Sequence, residues 1–178
     1  MSTAQRVVAG LTRRAESLST CESLTAGLLA AAVADVPGAS AVLRGGLVTY
    51  ATDLKAKLAG VDERILAEYG PVSEETAAAM AAGARETCGS DWALALTGVA
   101  GPEGQDGHPV GEVFIGLARP DGSVVVRRAG RDGHMRYAWS AHEDKQMAVL
   151  VGDRGQIRAW AVESALELIH GELGYLAE

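Results

Sequence analysis

The apolar positions of the chain switch repeatedly between helical and strand-like spacing. Near the start, four apolar residues share one face of a predicted helix: Val7, Val8, Leu11 and Ala15. The short run 17–21 has the composition of a strand, and the Ala/Leu-rich stretch 25–35 predicts a second helix that ends before Pro37. The chain therefore begins with a helix, a strand and another helix.

The middle of the chain continues this alternation. The apolar, β-branched run 41–50 predicts a strand, and the Gly45-Gly46 pair within it indicates a bulge or a close approach of two backbones. Thr52 is a suitable N-cap for a short helix, and Ser73 is one for a longer helix.

The second half predicts more strand than helix. Residues 92–97 (WALALT) have the length and composition of a buried strand, and a loop rich in Gly, Pro and Asp follows over 98–109. Two β-branched runs, 113–117 and 124–127, flank a Pro-Asp-Gly turn and predict a hairpin. An amphipathic helix over 157–173 ends the pattern. Helices alternating with buried strands, followed by a hairpin, predict one three-layer α/β domain with a mixed sheet.

Composition narrows the range of partners. The 178 residues carry 16 Lys and Arg against 23 Asp and Glu, a formal net charge of −7, and 4% are aromatic. Nucleic acid and anionic membranes require a basic face, and single strands require stacking aromatic side chains. We therefore expect a small-molecule partner, with neither nucleic acid nor membrane.

Cysteine content and apolar runs bear on the cellular compartment. The two cysteines, Cys21 and Cys88, exclude a disulfide framework and favour a reducing compartment. The N-terminal residues lack the cationic and apolar pattern of a signal peptide, and the longest apolar stretch, 26–34, is far shorter than a membrane span. We expect a cytoplasmic protein with a single domain over 1–178.

Three segments carry residues that packing does not explain. The first, 21–27 (CESLTAG), lies where a strand passes into a helix, so that its serine meets the free N–H groups and partial positive charge of a helix N-terminus. Ser23 suits three roles there: N-cap, anion ligand, or nucleophile beside an oxyanion hole. From the residues alone, the N-cap is the favoured interpretation.

The second and third segments flank the expected ligand crevice. Tyr50 closes a strand and Lys55 follows in the next helix, so both side chains can reach the carboxyl edge of an open α/β sheet. Without other evidence, a half-buried tyrosine and a solvated lysine are the simpler interpretation. The third segment, 97–102 (TGVAGP), follows a buried strand, where glycines let backbone N–H groups approach an anion. It matches neither the P-loop nor the dinucleotide-binding fingerprint.

Five segments taken together resemble one family. They are CESLTAGLLAAAVADVPGAS, GGLVTYATDLKAKLAGV, GPVSEETAAAMAAGA, LTGVAGPEGQDGHPVGEV and GDRGQIR. In this order they are similar to the CinA C-terminal domain family, the nicotinamide-nucleotide amidohydrolases (NMN deamidases), and the resemblance covers residues 4–173. It implies a three-layer α/β/α sandwich with a mixed, mostly parallel sheet. It also implies a stand-alone domain, since longer relatives carry an additional N-terminal domain.

The resemblance implies a reaction and a set of catalytic residues. Relatives of this kind hydrolyse the carboxamide of nicotinamide mononucleotide (NMN) to nicotinic acid mononucleotide and ammonia, without metal or cofactor, and many are dimers, so we expect a homo-oligomer. By motif, the family's serine falls on Ser23, its tyrosine on Tyr50 and its lysine on Lys55. Ser23 then attacks the carboxamide with Lys55 as the base. A lysine base must be neutral, which requires a pKa well below its reference value of about 10.4. Tyr50 would hold the amine or pass the proton.

Further residues are candidates for binding the substrate. Backbone N–H groups over 24–27 would stabilise the oxyanion, and arginine suits a phosphate because its guanidinium contacts the group as a fork. The candidate substrate-binding residues are Thr25, Gly27, Thr97, Gly98, Gly101, Arg154 and Arg158. For each arginine taken singly, a solvated position on a helix explains it equally well.

The chain departs from the family pattern at several positions. Cys21 stands where alanine is usual, and it raises a rival nucleophile, because a thiolate at a helix N-terminus is activated. Ala26 stands where glycine is usual, in the turn expected to form the oxyanion hole. If that turn requires a positive φ, alanine costs of order 1 kcal/mol.

The largest departure is the segment 130–150, which is inserted between the predicted hairpin and the GDRGQIR motif. Its aromatic residues and histidines suggest a surface excursion, a subunit contact or a cover over the active site. Four residues in it have no recognised metal-ligand spacing, so we expect no metal site: His134, His142, Glu143 and Asp144.

Two other function classes stay open at this point. A non-catalytic nucleotide-binding module of the same fold would not need Ser23, Tyr50 and Lys55 together, and their joint presence favours the enzyme. A role in DNA uptake or damage response rests on the historical competence name of the family. The acidic charge of the chain argues against direct contact with DNA.

Overall fold

The computed structural model describes residues 1–175, which are built around a five-stranded sheet. The strands are, in chain order, β1 (Leu18–Glu22), β2 (Leu43–Val48), β3 (Trp92–Gly98), β4 (Val113–Ala118) and β5 (Val124–Arg128). Their order across the sheet is β2-β1-β3-β4-β5, with β1 parallel to β2 and β3, and β4 antiparallel to β3 and β5. Four of the five strands therefore run in one direction, which confirms the mixed, mostly parallel sheet.

Helices cover both faces of this sheet. They are α1 (Thr3–Arg14), α2 (Leu28–Ala34), α3 (Thr52–Ala59), α4 (Glu63–Tyr69), α5 (Glu74–Cys88) and α6 (Arg154–Tyr175), with a short 3-10 turn at Ala39–Ala41. Helices α1, α2 and α6 pack on one face, and α3, α4 and α5 pack on the other. The expected α/β/α layering is therefore confirmed. None of the helices within residues 1–175 is long and apolar enough to cross a membrane.

The side chains of β3 show how the two helical layers differ. Its large residues face the core shared with α1, α2 and α6: Trp92, Leu94 and Leu96. Ala93 and Ala95 face α5 instead. Small residues are needed there because α5 lies close to the sheet, and a Cβ at Gly116 of β4 would lie 2.3 Å from the carbonyl oxygen of Ala77. The WALALT pattern thus specifies one leucine-filled face and one close-packed face.

The glycine pair in β2 combines a bulge with a close backbone approach, as predicted. The register against β1 skips Arg44, which is the extra residue of the bulge. A Cβ at Gly46 would lie 2.6 Å from the hydroxyl oxygen of Thr20. Because β2 covers Leu43–Val48, the predicted run 41–50 is too long at both ends.

Local turn geometry moves the helix starts away from their predicted positions. Helix α2 begins at Leu28, later than the predicted stretch, because the residues before it form a turn. Thr52 is the first helical residue of α3 and not its N-cap, a place taken by Ala51 without a side-chain hydrogen bond. Ser73 does cap α5, since its hydroxyl accepts from the backbone N–H of Thr76 at 3.1 Å. Helix α4 was not predicted, and none of its residues is buried.

The segment 130–150 contains a second, two-stranded antiparallel sheet. Strands β6 (Met135–Ser140) and β7 (Lys145–Leu150) pair with each other and form what we call the inserted hairpin, residues 135–150. One face exposes Tyr137 and Trp139, which are 77% and 57% accessible. The other face buries a small apolar cluster: Ala138, Met147 and Val149. The inserted segment is therefore an ordered element with a core of its own.

Candidate active site

Residues 23–27 form a turn between β1 and α2, which we call the serine turn. Ala26 and Gly27 adopt positive φ angles of 49° and 96°, which a helix does not allow. The N-cap of α2 is Gly27, so the interpretation of Ser23 as that cap is wrong. The N–H of Ser23 donates to the carbonyl oxygen of Leu96 at 2.9 Å. This bond places Ser23 at the carboxyl end of β1 and leaves its hydroxyl free for another role.

Lys55 points from the first turn of α3 at the hydroxyl of Ser23. Its Nζ lies 3.1 Å from Ser23 Oγ and 2.9 Å from the carbonyl oxygen of Thr49, and its side chain is 1% exposed. Burial lowers the pKa of Lys55 below its ordinary value, and the nearby Cys21 thiol offsets this in part. Within residues 1–175, no carboxylate forms an ion pair with this amine. The structure therefore places a buried amine against the hydroxyl of Ser23.

Glu22 holds the serine turn in place, a role that the sequence did not reveal. Its carboxylate is buried and accepts from the backbone N–H groups of Gly27 at 3.1 Å, Leu29 at 2.9 Å and Ala30 at 2.8 Å. A carboxylate is stabilised there because it satisfies orphan N–H groups at the start of α2. The one available signal was an acidic residue at the end of an otherwise buried strand, next to Ser23.

The hydrogen bonds of the serine turn narrow the choice of oxyanion donors. The N–H of Gly27 is taken by Glu22, so the structure assigns Gly27 to the turn and not to the substrate. The N–H of Ala26 donates to the carbonyl oxygen of Ser23 at 3.1 Å. In the part of the chain that the structure describes, the N–H groups of Leu24 and Thr25 have no protein acceptor. These two groups are the remaining donors for a developing negative charge.

Arg158 is a second support of the serine turn. Its Nε donates to the carbonyl oxygen of Leu24 at 2.9 Å, and its Nη2 donates to that of Thr25 at 3.0 Å. Helix α6 thereby anchors the turn from outside, and Arg158 does not line the cavity beside Ser23. The Thr25 side chain is fully buried and is also absent from the cavity wall. The side chains of Arg158 and Thr25 thus do not form part of the cavity wall, and Arg158 is bound to the serine turn instead.

A cavity of about 120 Å³ opens beside Ser23 and Lys55. It brings together seven of the ten predicted site residues: Ser23, Tyr50, Lys55, Thr97, Gly98, Gly101 and Arg154. Among the residues that the structure describes, no group of three or more His, Cys, Asp or Glu side chains is arranged to hold a metal ion. The cavity wall carries the Ser23 hydroxyl, the Lys55 amine, the carboxylate of Glu103 and further hydrogen-bonding groups.

Tyr50 and Arg154 form a bridge at the mouth of this cavity. The Tyr50 hydroxyl accepts from Arg154 Nη2 at 2.7 Å, and Arg154 Nη1 also donates to the carbonyl oxygen of Gly101. Tyr50 is 53% exposed. The Lys55 amine is held by Thr49, so the expected role of Tyr50 in holding it falls to a backbone carbonyl instead. Arg154 keeps an exposed cationic group at the rim.

The loop from β3 to β4, residues 99–112, forms one wall of the cavity and is called the glycine loop below. Thr97, just before it, is buried and donates its hydroxyl proton to the carbonyl oxygen of Pro71 at 2.6 Å. Gly98 is packed so closely that a Cβ would lie 2.4 Å from the carbonyl oxygen of Glu112. Within residues 1–175, the N–H groups of Ala100 and Gly101 have no protein acceptor. These two N–H groups are therefore free to bind a ligand, and their role in binding stays a prediction.

Cys21 does not share the properties of Ser23. Its side chain is fully buried, in the core beneath α5, and lies 3.5 Å from the hydroxyl of Thr49. Burial raises the pKa of its thiol to about 11, so that the thiolate is scarce at neutral pH. The rival interpretation of Cys21 as the nucleophile is therefore wrong.

Comparisons with known proteins identify the family of the chain. The CinA C-terminal domain family model matches residues 1–141. A CinA-like protein of Frankia casuarinae is 49% identical over 171 residues, which are 96% of this chain and 35% of that protein. A protein of Streptococcus pneumoniae named as competence-damage inducible is 47% identical over 126 residues, or 71% of this chain and 30% of that protein. The chain thus spans about a third of the length of these curated relatives.

Solved structures extend the similarity over nearly the whole chain. The competence/damage inducible protein CihA of Agrobacterium tumefaciens has a TM-score of 0.80 and 32% identity, and covers 97% of this chain and 93% of its own. A CinA superfamily protein of Klebsiella pneumoniae has a TM-score of 0.83 and 29% identity, with 97% and 96% covered. The family match and the shared fold lead to one conclusion: the chain belongs to the CinA C-terminal domain family.

Proposed function

We propose that the chain hydrolyses the carboxamide of NMN, giving nicotinic acid mononucleotide and ammonia, as a serine amidohydrolase with a lysine base. The observation that carries this proposal is the 3.1 Å contact between Lys55 Nζ and Ser23 Oγ, made by a buried amine that has no carboxylate partner among the described residues 1–175. A lysine of lowered pKa is a suitable general base, because a larger fraction of it is neutral. The resemblance to nicotinamide-nucleotide amidohydrolases supplies the substrate.

The first half of the proposed reaction forms an acyl-enzyme. Neutral Lys55 takes the proton of the Ser23 hydroxyl while Oγ bonds to the carboxamide carbon, and the carbonyl oxygen becomes an oxyanion. The N–H group of Leu24, a residue that lines the cavity, is the proposed donor to that oxygen. The Lys55 ammonium then returns its proton to the amide nitrogen, the carbon–nitrogen bond breaks, and ammonia leaves.

The second half restores the enzyme by the reverse route. A water molecule gives its proton to Lys55 and attacks the ester carbon of acylated Ser23. Collapse of this second tetrahedral intermediate returns the proton to Ser23 Oγ and releases the carboxylic acid. Lys55 acts first as base and then as acid in each half, and the lowering of its pKa by burial suits it to both roles.

The size of the cavity indicates how a nucleotide would sit. Ligand pockets usually have volumes of about 300–1,000 Å³, and the cavity beside Ser23 measures about 120 Å³. We therefore place the nicotinamide end inside and the ribose phosphate at the rim. Arg154 lies at that rim with its guanidinium bound to Tyr50 and Gly101, and it would reorient to contact the phosphate. Arg158 is committed to the serine turn and is not part of this proposal.

An ammonia-release assay tests the function directly. Wild-type protein is offered NMN, nicotinamide, nicotinamide riboside and NAD, and we expect release from NMN with much less from the riboside, which lacks the phosphate. Ser23→Ala is expected to abolish the release. Near-wild-type turnover by this variant would contradict the assignment, and NMN binding without ammonia release would favour a non-catalytic nucleotide-binding module.

Two features of the setting accompany the proposal. Both cysteines are free thiols, which is consistent with the reducing cytoplasm that we propose as its location. The homo-oligomer expected from the family, and the absence of a nucleic-acid partner, stay predictions. Size-exclusion chromatography with light scattering measures the first, and a DNA-binding assay at low salt measures the second.

A further inference from the structure

The inserted hairpin lies along the second half of the glycine loop. Four hydrogen bonds run from the hairpin to carbonyl oxygens of the loop: Ala141 N and His142 N to Gly107 at 2.9 and 3.3 Å, Arg136 Nη2 to Val110 at 3.1 Å, and Leu150 N to Gly111 at 3.0 Å. The contact at Gly111 is very close, since a Cβ there would lie 1.9 Å from the Leu150 carbonyl oxygen. The hairpin thus contacts the glycine loop both through its turn and through the end of β7.

A chain of charged side chains reinforces this contact. Glu112, at the end of the glycine loop, is 1% exposed and lies 2.8 Å from His108 Nδ1 and 3.0 Å from Arg128 Nη1. Arg128, on β5, forms a second ion pair with Glu143 in the turn of the hairpin. The ring of His142, in the same turn, lies 4.3 Å from the ring of His108 between centroids. The loop, the main sheet and the hairpin are therefore joined through one network, which is buried at Glu112 and His108 and partly exposed at Arg128 and Glu143.

The part of the glycine loop that contacts the hairpin forms hydrogen bonds with the part that lines the cavity. The N–H of Val99 donates to the Glu112 carbonyl oxygen at 2.9 Å, and the N–H of Gly111 donates back to Val99 at 2.8 Å. Gln105 and His108 exchange two backbone hydrogen bonds of 3.1 and 2.8 Å. Val99 and Gln105 both belong to the cavity wall. A displacement of the part that contacts the hairpin is thus transmitted to the wall.

The serine and its base are held by other parts of the fold. Glu22 and Arg158 support the serine turn, and Lys55 is fixed from α3 and Thr49. In the described part of the chain, no residue of the inserted hairpin forms a hydrogen bond with Ser23 or Lys55. Within the described residues, the hairpin is thus linked by hydrogen bonds to the loop that forms the cavity wall, and not to Ser23 or Lys55.

We propose that the inserted hairpin positions the glycine loop through Glu143 and Arg128 and so sets the affinity of the site for its substrate. This inference rests on the proposed function, in which the loop wall contacts the nucleotide. Glu143, Arg128 and His142 are positioning residues that touch no substrate atom. Their loss is expected to raise KM for NMN while kcat stays unchanged, because the interaction removed supports binding and not the chemical step.

The test compares Glu143→Ala with a matched control, Glu167→Ala. Both remove a carboxylate that pairs with an arginine, and Glu143 also pairs with Lys145. Glu167 lies on α6, pairs with Arg131 at 3.0 Å and forms no hydrogen bond with the glycine loop within residues 1–175. Ammonia release from NMN gives kcat and KM, and hydrogen–deuterium exchange reports on residues 99–112. We expect Glu143→Ala to raise KM about fivefold, within the range of coupling through packed networks, and to speed exchange in the loop. Glu167→Ala is expected to change neither.

A second variant protects the test against a folding defect. His142→Ala removes the ring beside His108 but keeps the backbone bond to Gly107, and the same direction of change is expected. The inference is overturned by unchanged KM and exchange in both hairpin variants, by a fall in kcat at constant KM, or by equal effects in Glu167→Ala. If wild-type protein releases no ammonia, the proposed function fails, and the exchange measurements still decide whether the hairpin positions the loop.

Discussion

Lys55 and Glu112 are equally buried, each 1% exposed, yet the protein surrounds them in opposite ways. Glu112 has a cation at 3.0 Å in Arg128 and a histidine at 2.8 Å. Lys55 has a hydroxyl and a carbonyl oxygen as its neighbours and no carboxylate partner within residues 1–175. A buried charge that is paired with an opposite charge holds its surroundings together. A buried ionisable group without such a partner has a shifted pKa and is available for chemistry. The contrast separates the supporting network from the reacting pair.

We expect the largest effect when the reacting pair of Ser23 and Lys55 is disrupted. Lys55→Met fills the same space without an amine, and we expect turnover to fall about 10³-fold, which is the usual worth of a general base. The unfolding free energy is expected to stay equal or rise, because a desolvated amine is removed. Ammonia release and urea unfolding measure the two quantities. A stable variant that keeps its turnover would show that Lys55 is not the base.

The matching change is made in the supporting network around Glu112, where we expect the unfolding free energy to fall. Arg128→Met removes the cation beside buried Glu112, which costs about 1–3 kcal/mol because Arg128 is 26% exposed and His108 still contacts the carboxylate. Urea unfolding measures the loss. Adding Glu112→Gln removes the unpaired charge, and the double variant is expected to recover much of the stability. If Arg128→Met alone were as stable as wild type, the network would not be holding a buried carboxylate.

The pH dependence of stability sharpens the same comparison. The pKa of Lys55 in the folded protein is lowered from its ordinary value of 10.5, so between these two pKa values the unfolded chain binds more protons than the folded one. The unfolding free energy contributed by this group therefore rises with pH across that window. The difference between wild type and Lys55→Met, followed by urea unfolding over pH, isolates it. A difference independent of pH would mean that Lys55 titrates as an ordinary lysine.

The smallest expected effect concerns strain in the serine turn. Ala26 has a φ of 49°, a conformation that costs a non-glycine residue about 1 kcal/mol. Glycine avoids this cost, but its unfolded chain has more conformational entropy, which offsets part of the gain. Ala26→Gly is expected to raise the unfolding free energy by about 0.5 kcal/mol. Gly27→Ala, at a φ of 96°, is the matched change in the opposite direction and is expected to destabilise. Equal unfolding free energies for wild type, Ala26→Gly and Gly27→Ala would show that the serine turn is not strained.

The fold was largely predictable from the sequence because buried strands leave continuous apolar runs. The WALALT run of β3 and the glycine pair of β2 were both assigned correctly, since each reflects close packing within one sheet. The inserted hairpin was not, because Tyr137 and Trp139 face outward and its apolar face is short. A two-stranded unit with an exposed aromatic face has no clear hydrophobic period.

The family resemblance, and not the local pattern, led to the three proposed reacting residues, and neither revealed their supports. Ser23, Tyr50 and Lys55 stand in motifs that meet at one sheet edge. The supports depend on a turn with positive φ, which folds backbone N–H groups back onto Glu22 and which periodicity does not encode. Arg158 reaches the serine turn across 134 positions of the sequence. Contacts at such a distance are decided by tertiary packing, and the arginine was assigned to the substrate for that reason.

The most direct test of the central claim is the pH profile of kcat/KM for ammonia release from NMN. This quantity reports the pKa values of essential groups in the free enzyme. Because Lys55 must lose its proton to act as base, we predict that kcat/KM rises with pH and levels off below the ordinary lysine pKa of 10.5. Lys55→Met is predicted to lose both the rate and the rise. A flat profile, or a rise of the same shape that survives in Lys55→Met, would contradict a serine activated by a buried lysine.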